Sequence, residues 1–463
     1  MKTLSLTRAL APLALASIAF TAHAQVSLIA KGTLTSSRAG SYTDLSGLRG
    51  TLENGVPADI LGGLGSGLGH ISGDRFLVIP DRGPNAVEFN AAIDNTASYI
   101  DRFHTIRMNL KQAKSGAALP FTIKPELEDT QLLYSITPLV YGTGTGLNVP
   151  DGEPRQNNFF QHYFTGRSDN YNPKKSSGDP NDARLDPESI RLSNDGLTVF
   201  ISDEYGPYVY QFLRFGGARL RTFTLPQKFF VSNLSPVGQT EIDGNTSGRT
   251  ANKGMEGLAI TPDGRTLVGI MQAALIQDAN LGGAAKNVLR LVTIDIASGK
   301  VTHEYAYNLT TGSGVSDIVA LNNHEFLVDE RDGKGLGDGS KAKVKQIFKV
   351  DIAHATDTSK LNGTDAAAVA VPKTLFADLV QIFTANGITP DQIPSKIEGI
   401  AFGEDVRLKG KSLHTLWIAN DNDFLQDYSG PNTNPNQFFV LGFTDKDLDG
   451  SEFVPQKRCG LLN

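Results

Sequence analysis

Short apolar runs recur along this chain, each begun by an acid and a small residue and closed by a polar turn. Pro187-Glu188-Ser189-Ile190-Arg191-Leu192-Ser193-Asn194-Asp195-Gly196 and Met255-Glu256-Gly257-Leu258-Ala259-Ile260-Thr261-Pro262-Asp263-Gly264 share one plan, with Asp-Gly beginning seven residues after the acid. Ile397-Glu398-Gly399-Ile400-Ala401-Phe402 repeats the start of the plan. Ser316-Asp317-Ile318-Val319-Ala320-Leu321 is a looser copy, which aligns Asp317 with the three glutamates. Ser66-Gly67-Leu68-Gly69-His70-Ile71 is a fifth, with Ser where the acid would stand. A second apolar run follows each copy, at 75–80, 198–202, 266–271, 325–328 and 415–419. Two such runs joined by Asp-Gly or Gly-Asp predict an antiparallel hairpin, because these residues tolerate the positive φ of tight turns. Further runs at 288–296 and 301–308 extend the unit to four strands.

Repeated four-stranded units predict an all-β fold, a β-propeller. The acids step by 68, 61 and 81 residues from Glu188 to Glu256, Asp317 and Glu398, which suits blades with loops. The step of 122 from Ser66 to Glu188 holds either another blade or one blade plus the Asn-, Asp-, Gly- and Pro-rich loop at 148–186. Five blades are visible in the sequence, and six or seven are compatible with it. Strands at 26–34 and 437–443 would pair to close the ring and remove its free edges. No boundary divides 25–463, so one domain is expected. Apolar spacing at 375–386 predicts a short helix ended by Gly387.

Equivalent positions on the first strands of a propeller meet at its channel. Glu188, Glu256, Asp317 and Glu398 are therefore expected to converge, and clustered carboxylates either raise one another's pKa or recruit a cation. Divalent Ca²⁺ fits an all-oxygen set best, and no His or Cys cluster with zinc spacing occurs. Each acid could instead cap its own turn or pair with Arg184, Lys253 or Lys396, the bases that precede the three glutamates. Those bases could equally hold an anionic substrate. The second runs end in polar clusters, Asp81-Arg82, Ser202-Asp203-Glu204, Asp329-Glu330-Arg331 and Asn420-Asp421-Asn422-Asp423. These are expected at the other rim of the hairpin or beyond the channel, with Asp203 matching Asp81. Asp81 is a candidate metal ligand and Arg82 a candidate anion contact. Glu256 is the candidate general base. His70 is a second catalytic candidate, and His104 a further histidine of interest, although a lone strand histidine commonly serves structure.

Composition narrows the field. Forty percent of the 463 residues are apolar and the formal net charge is −6, with no basic stripe, which argues against a nucleic-acid partner. Lys2 and Arg8, an apolar run at 9–20 and Ala22-His23-Ala24 read as a secretory signal over 1–24. An exported protein, periplasmic or secreted, is expected, with no membrane span after cleavage. Cys459 is the only cysteine, so no internal disulfide can form. No G-x-S-x-G elbow and no P-loop occur, and the Gly-rich 62–69 lacks the strand-loop-helix setting of a dinucleotide site.

Five segments together resemble the family called esterase-like activity of phytase: Asp81-Arg82-Gly83-Pro84-Asn85, Asp186-Pro187-Glu188-Ser189-Ile190, Ser202-Asp203-Glu204-Tyr205-Gly206-Pro207, Asn252-Lys253-Gly254-Met255-Glu256-Gly257-Leu258-Ala259 and Lys396-Ile397-Glu398-Gly399-Ile400. The resemblance implies an exported propeller and a phytase- or esterase-type activity. The leading expectation is a metal-dependent hydrolase of phosphate or carboxylic esters acting on a small anionic or ester substrate. In it Arg82, Lys253 and Lys396 hold the anion, and Asp81, Glu188, Glu256, Asp317 and Glu398 hold the metal. The alternatives are a non-catalytic propeller that binds a ligand or partner, stapled by Ca²⁺, and a lactonase- or dehydrogenase-like propeller.

Overall fold

The hairpins form where the turn chemistry places them. In one, Ser193 Oγ donates to Asp195 Oδ1 at 2.6 Å, Leu197 N donates to the same oxygen at 2.9 Å, and Gly196 takes φ +73°. In the next, Thr261, Asp263 and Gly264 repeat the arrangement, with Thr261 Oγ1 to Asp263 Oδ1 at 2.6 Å and φ +72° at the glycine. A side-chain acceptor before a glycine thus fixes both turns and the register of the strands they join. The chain is described by a computed structural model at residues 26–34, 42–85, 96–143, 152–424 and 434–458. The expected leader over 1–24 and Cys459 lie outside the described residues.

The hairpins grow into five antiparallel four-stranded blades. The first comprises Gly67–Ser72, Arg75–Ile79, Arg102–Gln112 and Phe121–Leu132, and the second Pro187–Leu192, Thr198–Asp203, Tyr208–Leu213 and Arg219–Thr224. The third comprises Met255–Ile260, Thr266–Met271, Val288–Asp295 and Lys300–Asn308, and the fourth Gly314–Ala320, Glu325–Arg331, Lys345–Asp351 and Lys373–Asp378. The fifth joins Lys396–Leu408, Lys411–Asp421 and Asn436–Phe443 to the N-terminal strand Ser27–Leu34, which closes the ring as expected. The inner strand of every blade touches the inner strands of its two neighbours. The long step before Glu188 contains a two-stranded ribbon, Tyr134–Ser135 with His162–Tyr163, and no sixth blade among the described residues. The helix expected at 375–386 is half right. Lys373–Asp378 is taken as the outer strand of the fourth blade, and the helix is Leu379–Ala385, capped by Asp378, which accepts from Gln381 N at 3.0 Å.

Five apolar clusters fill the five seams between blades. Phe76, Val78 and Trp417 pack across the seam of the first and fifth blades. Leu77 and Ile79, on the other face of the same strand, pack with Ile190 and Tyr210 across the seam of the first and second. Central strands therefore bury both faces. Thr198–Asp203 is buried at every residue, which is why such strands read as continuous apolar runs rather than alternations.

At the axis the inner strands approach until side chains no longer fit. A Cβ on Gly67 would lie 2.8 Å from Ser189 Cα, one on Gly257 3.0 Å from Asp317 Cα, and one on Gly399 2.9 Å from Gly67 C. Gly67, Ser189, Gly257, Asp317 and Gly399 thus form one tier. Asp317 stands in this small-residue tier and not with the glutamates, so the expected equivalence is off by one residue. Its carboxylate crosses the channel. It accepts from Arg191 Nη2 at 2.7 Å, Ser189 Oγ at 3.0 Å, Ile318 N at 2.9 Å and Ile400 N at 3.0 Å, and it is wholly buried. Arg191 and Asp317 form a plug that ties the second, fourth and fifth blades together. Asp317→Ala strands the buried guanidinium and should cost about 3–5 kcal/mol. Adding Arg191→Met should recover much of that loss, as read from the midpoint of chemical denaturation.

Candidate functional site

An antiparallel hairpin brings the end of its second strand beside the start of its first. The polar clusters after the second strands therefore share a mouth with the acids, and do not lie at the opposite rim as expected from sequence. Strand register identifies the partners. Leu68 faces Val78, Ile190 faces Ile201, Leu258 faces Gly269, Ile318 faces Val328 and Ile400 faces Ile418. Two residues before the first member of each pair stand Ser66, Glu188, Glu256, Ser316 and Glu398. Three after the second member stand Asp81, Glu204, Gln272, Arg331 and Asp421. The register match for Asp81 is thus Glu204 rather than Asp203. In the fourth blade Ser316 replaces the glutamate and leaves room for Arg331, whose Nε donates to Ser316 Oγ at 2.7 Å. Arg331 then pairs with Glu398 and lies 3.9 Å from Glu256 Oε1, which also accepts from Gln272 Nε2 at 2.7 Å.

The carboxylates gather into two triads. Asp186, Glu188 and Glu204 offer oxygens within 4.8 Å of one another, as do Asp81, Asp421 and Asp423. Either group could hold a metal ion. Arg82 stands between them, its Nη1 3.3 Å from both Asp81 Oδ2 and Asp186 Oδ2, and its backbone N donates to Asp186 Oδ1 at 3.0 Å. Lys396 binds Asp421 Oδ2 at 2.7 Å and also Asp423. Arg82 and Lys396 are therefore engaged with site carboxylates. Lys253 is half-buried three residues before Glu256, and its ammonium pairs with no carboxylate among the described residues.

Acids outnumber bases here, and burial amplifies the imbalance. Burial and then the charge of Asp421 push Asp81 up to about 8. Burial and then Glu398 push Glu256 to about 8, and burial carries Glu398 to about 7 against the pull of Arg331. Glu188 is raised well above the carboxylate range by burial, then by Glu256, Asp186 and Glu204. Asp101 is raised likewise, by burial and then by Asp186 and Asp203. Glu256 Oε2 and both Asp101 oxygens are buried without a hydrogen-bond partner. Unpartnered buried carboxylate oxygens beside a cluster of acids fit a hard cation, which takes oxygen ligands in flexible geometry.

Of the residues singled out from sequence, the mouth gathers Asp81, Arg82, Glu188, Glu256, Lys396 and Glu398. Asp317 lies one tier below, bonded to Arg191. His70 is on an inner strand but at the opposite end of the channel, because it follows Ser66 by four residues along the strand. There its Nε2 meets Gly73 O at 3.1 Å, and burial, then Arg458, hold it down to about 4. His104 is buried in the third strand of the first blade, with Nδ1 2.9 Å from Thr130 Oγ1. Glu204, Arg331, Asp421 and Asp423 lie in the polar clusters noted from sequence but were given no individual role, Asp186 was noted only in a family segment, and Gln272 was not noted. Counting back from the turn along paired strands would have found four of them.

The family described as phytase-like, esterase-like activity of phytase, matches residues 59–424. A protein described as an uncharacterized secreted protein of Arthroderma benhamiae is 35% identical over 142 residues, spanning 27% of this chain and 27% of its own length. The chain thus covers about a quarter of that relative. Among solved structures, Kuenenia stuttgartiensis hydrazine synthase is similar at 13% identity, covering 82% of this chain and 81% of that one at a TM-score of 0.31. A luciferin-regenerating enzyme is similar at 10% identity, covering 87% and 97% at a TM-score of 0.30. No helix among the described residues is long and apolar enough to cross a membrane.

The raised pKa values have a sign. Asp81, Glu256 and Glu398 keep their protons to about 8, about 8 and about 7 in the folded chain, whereas unfolded carboxylates ionise near ~4. The folded state binds more protons at these three groups in that window, so the stability they contribute is full below pH ~4 and is lost as pH rises to ~8. The melting midpoint of chelator-treated protein should fall between about pH 5 and pH 9. Added Ca²⁺ should raise it more at the upper end than at the lower, because the ionised form binds the cation.

Proposed function

This chain belongs to the phytase-like family, esterase-like activity of phytase, and from that premise we propose that it is an exported, divalent-cation-dependent hydrolase of phosphate or carboxylic esters. The observation that carries the reading is the pair of carboxylate triads at one mouth, buried except for the half-buried Asp423, with Glu256 Oε2 unpartnered beside them. A chain with a secretory leader over 1–24 and one propeller unit over 25–463 fits this role, as does the secreted relative.

Glu188 with Asp186 and Glu204, and Asp81 with Asp421 and Asp423, would hold the cation, for which Ca²⁺ is the best match to an all-oxygen set. When bound, it would polarise the ester oxygen and lower the pKa of an attacking water. Glu256 acts as general base and takes the proton of that water at Oε2. A base whose pKa lies near the working pH transfers protons most effectively. Lys253 holds the anionic part of the substrate. Arg82 and Lys396 offset the acids, so that an anion can approach a mouth that would otherwise repel it. Their engagement with Asp81, Asp186, Asp421 and Asp423 also suits a second reading, in which the cation is a staple and the mouth only binds.

Purified protein with Ca²⁺ should hydrolyse p-nitrophenyl phosphate or p-nitrophenyl acetate, and chelation should stop it. Glu256→Gln should cut turnover at least ~100-fold, the usual weight of a general base, with the melting midpoint little changed. Turnover indifferent to both chelator and Glu256→Gln removes this mechanism. Cation-dependent stability without turnover on an ester panel favours the staple. Lys253→Ala should raise KM for the phosphate ester more than for the acetate.

A further inference from the structure

The far end of the channel is closed by the chain itself. Residues 451–458 cross it, bonding to four blades in turn. Val454 N donates to Leu321 O at 2.8 Å, Lys457 N to Pro262 O at 2.9 Å and Gln456 Nε2 to Leu192 O at 2.8 Å, and Arg458 reaches Ile71 O. Between this strap and the Arg191–Asp317 plug lies a cavity of about 320 Å³. That is the lower end of the range for small-molecule sites.

Its lining mixes apolar and polar groups, with two arginines among them. Phe402 and Phe453 pack with ring centroids 4.5 Å apart and planes tilted by 46° on one side, and Arg191, Arg458, Gln456 and His70 supply the polar groups. Arg458 hydrogen-bonds only neutral oxygens, Ile71 O and, at 3.1 Å, Gln456 Oε1, and no carboxylate pairs with it among the described residues. Arg191 spends its Nη groups on Asp317 and on backbone carbonyls, and leaves a buried Nε without a partner. Glu404, the acid on the wall, has a side chain 64% exposed to solvent. Burial, and then the charge of Arg214, lower Arg458 to about 10. Arg458 is half-buried and feels the solvent-exposed Glu404 without an ion-pair contact to it, and a carboxylate is the geometric complement of a guanidinium.

We infer that this cavity binds a small organic monocarboxylate, its carboxylate at Arg458, its apolar body against Phe402 and Phe453. The site shares no residue with the acidic mouth, and the plug separates the two.

Calorimetric titration of the whole chain with octanoate, octanol and octylamine tests this. Octanoate should bind saturably at one site per chain, and the alcohol and the amine at least ~10-fold more weakly. Arg458→Gln should weaken octanoate at least ~10-fold, and Arg458→Lys by less, because charge persists without the fork. Because Arg458→Gln also loosens the strap, Ala320→Leu, which fills the cavity from a half-buried wall position, gives an independent arm and should weaken octanoate as well. Glu256→Gln should leave octanoate binding unchanged. Equal binding of octanol, no saturable octanoate binding, or affinity untouched by both Arg458→Gln and Ala320→Leu overturns the inference.

Discussion

The closeness of the inner strands at the axis governs everything else in this molecule. Where a Cβ on Gly67, Gly257 or Gly399 would meet the backbone of the next blade at 3.0 Å or less, the sequence must supply small residues. Once they are there, the residues just above them on each strand have nowhere to point but into the shared mouth. Glu188, Glu256 and Glu398 are neighbours because Ser189, Gly257 and Gly399 are small. The acidic site is a geometric result of ring closure, and its charge is tuned by exceptions to the repeat: Ser66 in the first blade, and Ser316 with Arg331 in the fourth.

The channel then divides by charge. Its upper mouth crowds carboxylates, offset in part by Arg82, Lys396 and Arg331, and burial keeps several protons in place where water would remove them. Its middle is sealed by Arg191 and Asp317, a pair whose oxygens and Nη groups are fully used. Its lower end is largely apolar, with Arg458 and Glu404 on its wall. A buried pair of this kind adds little net stability against an apolar substitute, but it separates the acidic mouth from the cavity at the other end of the channel.

Much of this was legible from the chain. Asp-Gly turns and the acid-small-apolar start exposed the hairpins, and strands over 26–34 and 437–443 were visible as the ring's seam, within one residue of the observed Ser27–Leu34 and Asn436–Phe443. The repeat misled where it counted forward from the acid. Bulges between Pro187 and Ile190, Val315 and Ile318, and Ile397 and Ile400 shift the pairing, and turns of different length shift it further. So Asp317 looked like a fourth glutamate, and Asp203 rather than Glu204 looked like the counterpart of Asp81. His70 was on the right strand and at the wrong end, a distinction set by strand direction. Asp101 belongs to no repeat, and only the fold brings it toward Asp186.

The seam of the fifth blade has a kinetic meaning. Ser27 pairs with Gly442, so the last ladder joins residues more than four hundred positions apart. The entropy of closing so long a loop grows only slowly with its length, yet the contact cannot form until nearly the whole chain is available. Until then the fifth blade keeps an unpaired edge, the feature most prone to join a foreign strand. With a single cysteine in the chain, no internal disulfide can lock this seam. How long the folded ring survives then depends on the unzipping rate of Ser27–Leu34 from Asn436–Phe443, a matter of barrier height as well as of equilibrium free energy.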